Sequence, residues 1–415
     1  MLSLIVAGEA IFALPFHLAR FFRPTVLEVF NLTNTELGAA QGAYGVFAML
    51  SYFLGGPLAD RFAARKLLAW SLWCTAMGGA YMLTFPGYRG ASVLWAIFGV
   101  TTILLFWAAL IRATRDWGGS DRQGRAYGLL DGGRGLLAAV LATLAVGIFG
   151  LVFPEDQANA SLAQKREALR LVIIAYTALT VAAGFLAWFA IAEREPRSQK
   201  ATANNASPLK GLSQVMRMPA VWLQATIVVC AYVGYKGFDN YSLFAVQAYG
   251  LNEVDAAGLV AMASWMRPVA ALGAGMLGDR FGVARLTVLS FLLLFASQLY
   301  FGLATPGAAW ILLANTLVTC TAIFALRGLY FALFQEARVP MAVTGTAVGV
   351  VSVIGFTPDI FVALVGGILL DRTPGLVGHQ HYFQFLATFA FLGLVASTVF
   401  LKRLSDEALP AAQLR

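Results

Sequence analysis

The chain has 415 residues, of which 59% are hydrophobic and 12% are charged, and its formal net charge is +8. Soluble domains contain about 25% charged residues. This composition therefore excludes a water-soluble protein and indicates one that leaves apolar side chains in lipid. The basic residues are scattered among short loops, which favours a membrane topology signal over nucleic-acid binding. The cysteines lie inside apolar runs without disulfide or zinc spacing, so they are predicted to pack.

Twelve segments are predicted to cross the membrane, since a spanning helix needs about 20 mostly apolar residues. No basic region precedes the first segment, which favours a retained helix over a signal peptide. Spans 1 to 12 are, in order, 3–29, 37–58, 67–85, 90–113, 126–153, 168–191, 220–248, 254–277, 284–304, 308–335, 342–370 and 382–401.

One long polar stretch divides these spans six to six. It covers 193–218 and contains Glu-Arg-Glu-Pro-Arg and Asn-Asn-Ala-Ser-Pro, which is typical of a hydrophilic linker. The sequence therefore predicts an N-terminal six-helix bundle over 1–192, a cytoplasmic linker, and a C-terminal bundle over 219–415. With both termini cytoplasmic, 18 of the 29 Lys and Arg residues fall inside and five outside, which fixes the orientation.

A short phrase occurs twice in the chain. Residues 55–62 read Gly-Gly-Pro-Leu-Ala-Asp-Arg-Phe and residues 275–282 read Gly-Met-Leu-Gly-Asp-Arg-Phe-Gly, with the two Asp-Arg pairs 219 positions apart. Each copy lies between two apolar segments. A Gly-x-x-x-Asp-Arg phrase in this position, once in each half, resembles the signature loop of the major facilitator superfamily. The resemblance covers the whole chain and implies an all-α transporter with 12 transmembrane helices in two pseudo-symmetric bundles.

The resemblance also implies a gate at the cytoplasmic surface. Asp60 is expected to touch the start of span 11, near 341–344, when the cytoplasmic side is shut, because a helix N-terminus favours a carboxylate. Two glycines before Asp60 are expected to let spans 2 and 3 approach closely. The predicted gating residues are Gly56, Asp60, Arg61, Arg112, Asp279 and Arg280.

Charged residues inside the spans are candidate functional residues, because a charge in the bilayer centre costs at least about 2.5–3.5 kcal/mol. In this superfamily spans 1, 4, 7 and 10 line the cavity, which favours Arg20, Lys236 and Arg327 as substrate contacts. Arg20 and Arg327 have no acid nearby on their own helices. Guanidinium groups bind carboxylate and phosphate bidentately, so these cations predict an anionic solute.

Other intramembrane groups are assigned supporting or structural roles. Two acid–base pairs with i,i+3 spacing are expected to satisfy each other, Asp131 with Arg134 and Lys236 with Asp239. Glu9 is expected near a membrane face. The further predicted substrate contacts are His17, Tyr235, Tyr330 and Arg134. The predicted proton carriers are Asp131, Asp239 and Asp359, the last beside a helix break at Pro358.

The sequence thus predicts a secondary transporter that moves a small organic anion by alternating access, by symport with protons. Residues 235–242 of span 7 resemble the organophosphate and organic-anion branch of the superfamily. The alternative is a proton-driven drug or cation antiporter, although 128–135 in span 5 lacks the Gly-Pro motif of that class. Catalytic motifs of enzymes are absent from the sequence. A functional monomer in a bacterial inner membrane is expected, without cofactor, metal or nucleic acid.

Overall fold

The computed structural model describes residues 1–119, 122–152, 160–192, 208–337 and 341–412, and every regular element in these ranges is a helix. The α-helices are α1 (Leu2–Ala10), α2 (Leu18–Phe21), α3 (Arg23–Val29), α4 (Asn34–Arg61), α5 (Ala64–Met82), α6 (Tyr88–Val100), α7 (Ala108–Gly118), α8 (Gln123–Gly150), α9 (Leu162–Ala190), α10 (Pro208–Met216), α11 (Pro219–Gly237), α12 (Tyr241–Tyr249), α13 (Glu253–Ser264), α14 (Met266–Phe281), α15 (Val283–Leu303), α16 (Ala309–Leu329), α17 (Leu333–Glu336), α18 (Met341–Gly355), α19 (Pro358–Arg372) and α20 (Leu376–Ala412). The predicted all-α membrane fold is confirmed.

Each predicted span coincides with a helix or a run of helices. Within the described residues, ten are long and apolar enough to cross a membrane, and the bent pair Leu2–Ala10 and Ala13–Phe21 makes an eleventh if it is one span. Predicted span 3 is the helix α5, which has 19 residues. Its first turn contains Arg65 and Lys66, which lower its apolar character relative to the others.

The linker predicted over 193–218 is described only in part. Residues 193–207 lie outside the described residues, while Pro208–Met216 forms α10 and Pro219 begins α11. Helix α10 packs against α11 and α18.

Several of the spans are discontinuous, including span 8 (α13 and α14) and span 10 (α16 and α17). Span 1 changes to π-helical geometry at Ala13–His17 and span 4 does so at Thr101–Trp107. Span 7 narrows to a 3₁₀ turn at Phe238–Asn240. Span 11 breaks between α18 and α19, beside Pro358, as the sequence predicted. Such breaks leave backbone N–H and C=O groups without partners in their own helix and change the direction of the neighbouring side chains. Within a membrane they are tolerated only where protein or a water-filled cavity surrounds them.

The two halves of the chain are joined on the outer side of the membrane. Glycines of α4 lie against the backbone of α19, and a Cβ on Gly38 or Gly45 would lie 2.3 Å from Ala363 O or 2.5 Å from the Asp359 carbonyl carbon. This close approach is the small-residue packing found between membrane helices. At the outer end, Asp371 accepts hydrogen bonds from the backbone nitrogens of Asn34 (3.2 Å) and Thr35 (2.7 Å).

An ion-pair bridge lies at the outer rim of the same interface. Lys165 Nζ is 2.6 Å from Glu28 Oε2 and 2.9 Å from Glu253 Oε1, so it ties spans 1, 6 and 8 together. The Asp371 hydrogen bonds and the Lys165 ion pairs therefore close the outer end of the interface between the halves.

Candidate functional site

The centre of the interface holds an ion pair between spans 1 and 7. Arg20 Nε lies 2.6 Å from Asp239 Oδ1, and the two side chains are only 6% and 5% exposed. Their positions differ by 219, the same offset that separates the two Asp-Arg phrases. Residues at equivalent positions of two repeats touch only beside the axis that relates the repeats. The pair therefore marks the middle of the interface between the halves.

Helix breaks place this pair. Pro15 has no backbone N–H, and its carbonyl accepts a hydrogen bond from Trp95 Nε1 at 3.2 Å within the π-helical turn of span 1. In span 7, Tyr382 donates to Gly237 O at 3.2 Å and accepts from Asn240 Nδ2 at 2.7 Å, which holds the 3₁₀ turn that contains Asp239. The freed backbone groups are thus satisfied by neighbouring spans.

Asp239 belongs to a row of charged side chains that extends to span 11. Its Oδ2 lies 3.1 Å from Lys236 Nζ, which confirms the predicted i,i+3 pair. Lys236 Nζ is also 3.5 Å from Asp359 Oδ1 and lies 4.4 Å from the centre of the Phe16 ring. Asp359 accepts a hydrogen bond from the Tyr232 hydroxyl at 3.0 Å. One lysine therefore lies between two carboxylates, and the break in span 11 brings the second of them there.

Arg327 contacts this group of charged side chains through an aromatic ring. Its Cζ lies 4.1 Å from the centre of the Tyr235 ring, and Arg20 Cζ lies 4.7 Å from the same centre. Arg20 Nη2 and Arg327 Nη1 are both buried without a hydrogen-bond partner among the described residues. Arg327 has no carboxylate partner in the ion pairs of the described chain, whereas Arg20 and Lys236 do. The predicted substrate contacts Arg20, Lys236, Tyr235 and Arg327 thus lie together.

A second cluster surrounds Glu9, which is 2% exposed. Its carboxylate lies 3.2 Å from His17 Nε2, 3.2 Å from Arg134 Nε and 3.2 Å from Arg267 Nη1. Arg134 Nε also donates to Gly8 O at 2.9 Å. A Cβ on Gly8 would lie 3.0 Å from Arg134 Cδ, so the glycine leaves room for the arginine. Spans 1, 5 and 8 therefore meet at one carboxylate.

This cluster corrects one sequence prediction and contains contacts that the sequence did not predict. Asp131 and Arg134 were expected to pair with each other, but Arg134 binds Glu9, and Asp131 lies 3.8 Å from Arg267 with its side chain 55% exposed. The close approach of α1 and α8 provides a better-placed carboxylate than the i,i+3 neighbour. Glu9, which was expected near a membrane face, is buried within the protein. Two of its partners, Arg134 and Arg267, come from other spans, so spacing along span 1 did not predict these contacts.

Two further predicted substrate contacts are His17, which belongs to the Glu9 cluster, and Tyr330, which lies within electrostatic reach of Arg327. His17 is 4% exposed, and its Nε2 faces Glu9. Tyr330 follows the last turn of α16, packs against the ring of Phe331 at 4.6 Å and accepts a hydrogen bond from Gln224 through its carbonyl. Tyr330 was predicted from its spacing to Arg327, and its role as a substrate contact stays a prediction.

The predicted gating residues lie at the cytoplasmic ends of spans 2, 4 and 8. Arg112 donates to Ala59 O in the last turns of α4. Arg61, Asp279 and Arg280 are exposed in the last turns of α4 and α14. The side chain of Asp60, residues 338–340 and the side chains that begin α18 lie outside the described part, so the gate contact stays a prediction.

Two details of the signature loops differ from expectation. Gly56 has nothing within 4 Å of an added Cβ, and Gly55 faces Leu104 O of span 4 at 3.2 Å rather than span 3. The reason is that α4 continues as a helix to Arg61, so the turn comes later. In the second loop, Glu336 accepts hydrogen bonds from the backbone nitrogens of Val283 (2.7 Å) and Ala284 (2.9 Å), at the N-terminus of α15.

Comparison with known proteins agrees with this architecture. The chain is 28% identical over 416 residues to the inner membrane protein YihN of Escherichia coli (strain K12), covering 97% of this chain and 95% of that one. It is 26% identical over 358 residues to the probable nitrate/nitrite transporter NarK2 of Mycobacterium tuberculosis (strain H37Rv), covering 82% and 81%. The crystal structure of a D-xylose-proton symporter superimposes with a TM-score of 0.75 at 15% identity, covering 96% of each chain.

The family model of the Major Facilitator Superfamily matches residues 5–363, which is most of the chain. This match agrees with the repeated Asp-Arg phrase and with the helical spans. Together with the inner-membrane relatives, it makes the protein a multi-pass protein of the bacterial inner membrane. The chain belongs to the Major Facilitator Superfamily of transporters.

Proposed function

We propose that the protein is a secondary active transporter of a small organic anion, a carboxylate or a phosphorylated metabolite, and that it works by alternating access with proton coupling. The observation that carries the proposal is Arg327. Its guanidinium group lies in the central interface, has an unpaired buried Nη1 and has no carboxylate partner among the described residues. A cation held this way binds an anion without first breaking an ion pair.

The charge balance of the centre supports the same class of solute. The described side chains of the two clusters comprise five cations and four carboxylates, with His17 counted as neutral. One positive charge therefore remains, and a monoanion would neutralise it. The cations are Arg20, Arg134, Lys236, Arg267 and Arg327, and the carboxylates are Glu9, Asp131, Asp239 and Asp359. A relative named as a nitrate/nitrite transporter supports anion transport in general.

Ligand-dependent thermal unfolding of the purified protein tests the solute class. The panel contains lactate, glycerol phosphate and nitrate as anions, xylose and uridine as neutral solutes, and tetraphenylphosphonium as a cation. A ligand at 100 times its dissociation constant stabilises the protein by about 2.7 kcal/mol. We expect a shift with an anion, and we expect Arg327→Gln to lose it while Arg372→Gln, at an exposed arginine, keeps it.

Two outcomes would contradict the proposal. A shift with tetraphenylphosphonium alone would favour the cation antiporter and make the carboxylates the centre of the site. An anion shift that survives in Arg327→Gln would place the binding residue elsewhere.

Proton coupling is proposed to run through Asp359. Its Oδ2 accepts a hydrogen bond from Tyr232, while Oδ1 has no hydrogen-bond partner among the described residues and lies 3.5 Å from Lys236 Nζ. Asp239 is bound by Arg20 at 2.6 Å and by Lys236 at 3.1 Å, so its charge is better compensated. Asp359 is therefore the easier of these two carboxylates to protonate.

Transport in proteoliposomes tests this assignment, with the anion that gives the largest thermal shift. Asp359→Asn should keep exchange of labelled anion between the two sides but lose accumulation driven by a pH gradient. Asp131→Asn serves as the matched variant, because Asp131 is exposed and is the competing carrier. Loss of accumulation in Asp131→Asn, with Asp359→Asn unaffected, would transfer the proton site to span 5.

A further inference from the structure

Arg23 differs from the arginines of the two charge clusters in its complete burial and in the number of its unpaired nitrogens. It lies on α3, three residues beyond Arg20, and is 0% exposed. Its Nε, Nη1 and Nη2 all lack a hydrogen-bond partner among the described residues. A fully buried guanidinium is costly when no protein group replaces its hydration, and the described residues provide no hydrogen-bond acceptor for these three nitrogens.

The charged and polar groups nearest to Arg23 belong to the other half of the chain. Helix α3 packs against α9 of its own half and α12 of the other half, and Asp239, Asp371 and Tyr382 lie within electrostatic reach of the guanidinium. Each of these groups is already bound. Asp239 holds Arg20, Asp371 holds the N-terminus of α4, and Tyr382 holds the 3₁₀ turn of span 7. Arg23 is therefore a buried cation without a hydrogen-bond partner in the described part of the chain.

The position of Arg23 relates it to the outer closure. A rise of 1.5 Å per residue puts it about 4.5 Å further outward than Arg20 along span 1. It lies at the inter-half interface, which is closed at the outer end by Asp371 on Asn34 and Thr35. Separation of the halves on this side would bring water to the guanidinium and relieve the cost of its burial.

We propose that Arg23 is an outer anion-binding site, which is exposed when the outer side opens and takes the anion before it reaches Arg20 and Arg327. Its ligand is an oxyanion, a carboxylate or phosphate group, bound bidentately through the guanidinium. The proposal rests on the proposed function for the class of solute. The positive potential of Arg23 on the outer path is tested independently of any substrate.

The test uses a cysteine as a probe of that path. Ser242 Oγ donates to Arg20 O across the interface at 2.9 Å, so Ser242→Cys is a conservative change next to the backbone of span 1. The native Cys74, Cys230 and Cys320 are replaced by serine or alanine. Right-side-out vesicles at low salt are treated from outside with the anionic sulfonatoethyl or the cationic trimethylammonioethyl methanethiosulfonate, and the two labelling rates are compared.

We expect the anionic reagent to react faster in the presence of Arg23. Across about 6 Å of water, the charge of Arg23 raises the local concentration of the anionic reagent about threefold and lowers that of the cationic reagent about threefold. The ratio of the anionic to the cationic labelling rate should therefore fall about tenfold in Arg23→Gln. Arg23→Lys should keep the preference, because it keeps the charge. Arg372→Gln removes a charge from the exposed outer end of α19 and should leave the ratio within about twofold, because surface charges are screened.

The outcomes are decisive in each case. An unchanged ratio in Arg23→Gln, an equal fall in Arg372→Gln, or no labelling from outside would each overturn the proposal. Failure of the anion panel with the tenfold fall intact would refute anion transport and leave the outer site in place. An Arg23→Gln protein that does not fold is replaced by Arg23→Met, which removes the charge but keeps an apolar side chain, and the ratio must then fall about tenfold in that variant.

Discussion

The two buried charge clusters of this protein differ in how their cations are used. Around Glu9, three basic side chains lie 3.2 Å from one carboxylate. Around Tyr235, Arg20 and Arg327 both face the ring, and each keeps an unpaired nitrogen. The first cluster joins spans 1, 5 and 8 around one carboxylate, whereas the second contains two guanidinium groups with unpaired nitrogens among the described residues. Under the proposed function, these unpaired nitrogens are the solute contacts.

The largest effect should come from removing the carboxylate of the first cluster. Glu9→Gln leaves Arg134 and Arg267 buried without their shared acid, and breaking a buried pair from one side costs about 3–5 kcal/mol. Thermal unfolding of the purified variant should show this loss of stability. Glu28→Gln provides the control. Its side chain is 45% exposed in the pair with Lys165, so it should cost less than about 1 kcal/mol.

Equal losses in the two variants would break the comparison. They would mean that the Glu9 carboxylate is hydrated or protonated in the folded protein, and that its three neighbours do not depend on its charge. The cluster would then be a second candidate for proton coupling instead of a structural joint.

The fold could be predicted from the sequence because lipid imposes a simple requirement on each membrane-spanning segment. Every spanning segment must satisfy its own backbone and face lipid with apolar side chains, so runs of apolar residues mark the helices. The helix α5 was found in this way although it carries two basic residues in its first turn. The π-helical turn at Ala13–His17 was not predicted, because it depends on Trp95 in another span as well as on Pro15.

The candidate site followed from the sequence only in part. Arg20, Lys236 and Arg327 were selected because they lie on cavity-lining spans, and the structure brings them to one place. Glu9 was missed, and the pair of Asp131 with Arg134 was wrong, because those contacts are made between spans. Spacing along one helix reports only local neighbours. Side chains that meet at an interface of three spans leave no such signal.

A smaller effect should come from the packing behind Asp359, which belongs to the second cluster. An alanine Cβ at Gly45 would lie 2.5 Å from the Asp359 carbonyl carbon, so Gly45→Ala should push α19 away from α4. Overpacking of this kind costs about 1–3 kcal/mol. Gly56→Ala on the same helix is the control, because its Cβ meets nothing within 4 Å and it isolates the gain in helix propensity, at most about 1 kcal/mol.

The difference between the unfolding temperatures of Gly45→Ala and Gly56→Ala measures the destabilisation caused by the steric clash. Displacement of α19 should also move Asp359 of the second cluster, while Glu9 of the first cluster stays in place. Gly45→Ala should therefore change pH-driven accumulation as well as stability. A variant that loses stability with unchanged accumulation would separate Asp359 from the outer packing.

The smallest effect on stability should come from Arg327→Gln, although it is the change expected to abolish anion binding. The substitution loses a contact between the guanidinium and the Tyr235 ring at 4.1 Å, which is worth about 0.5–2 kcal/mol. It also removes a partly buried charge that has no acid partner among the described residues, and this removal is favourable. The two effects oppose each other, so the net change should stay below about 1 kcal/mol. Arg134→Gln is the matched variant from the other cluster, and it should cost several times more, because Glu9 and Gly8 O both lose a donor. If Arg327→Gln were as destabilising as Arg134→Gln, Arg327 would be a structural cation, and the free donor that supports anion binding would have to be sought at Arg20.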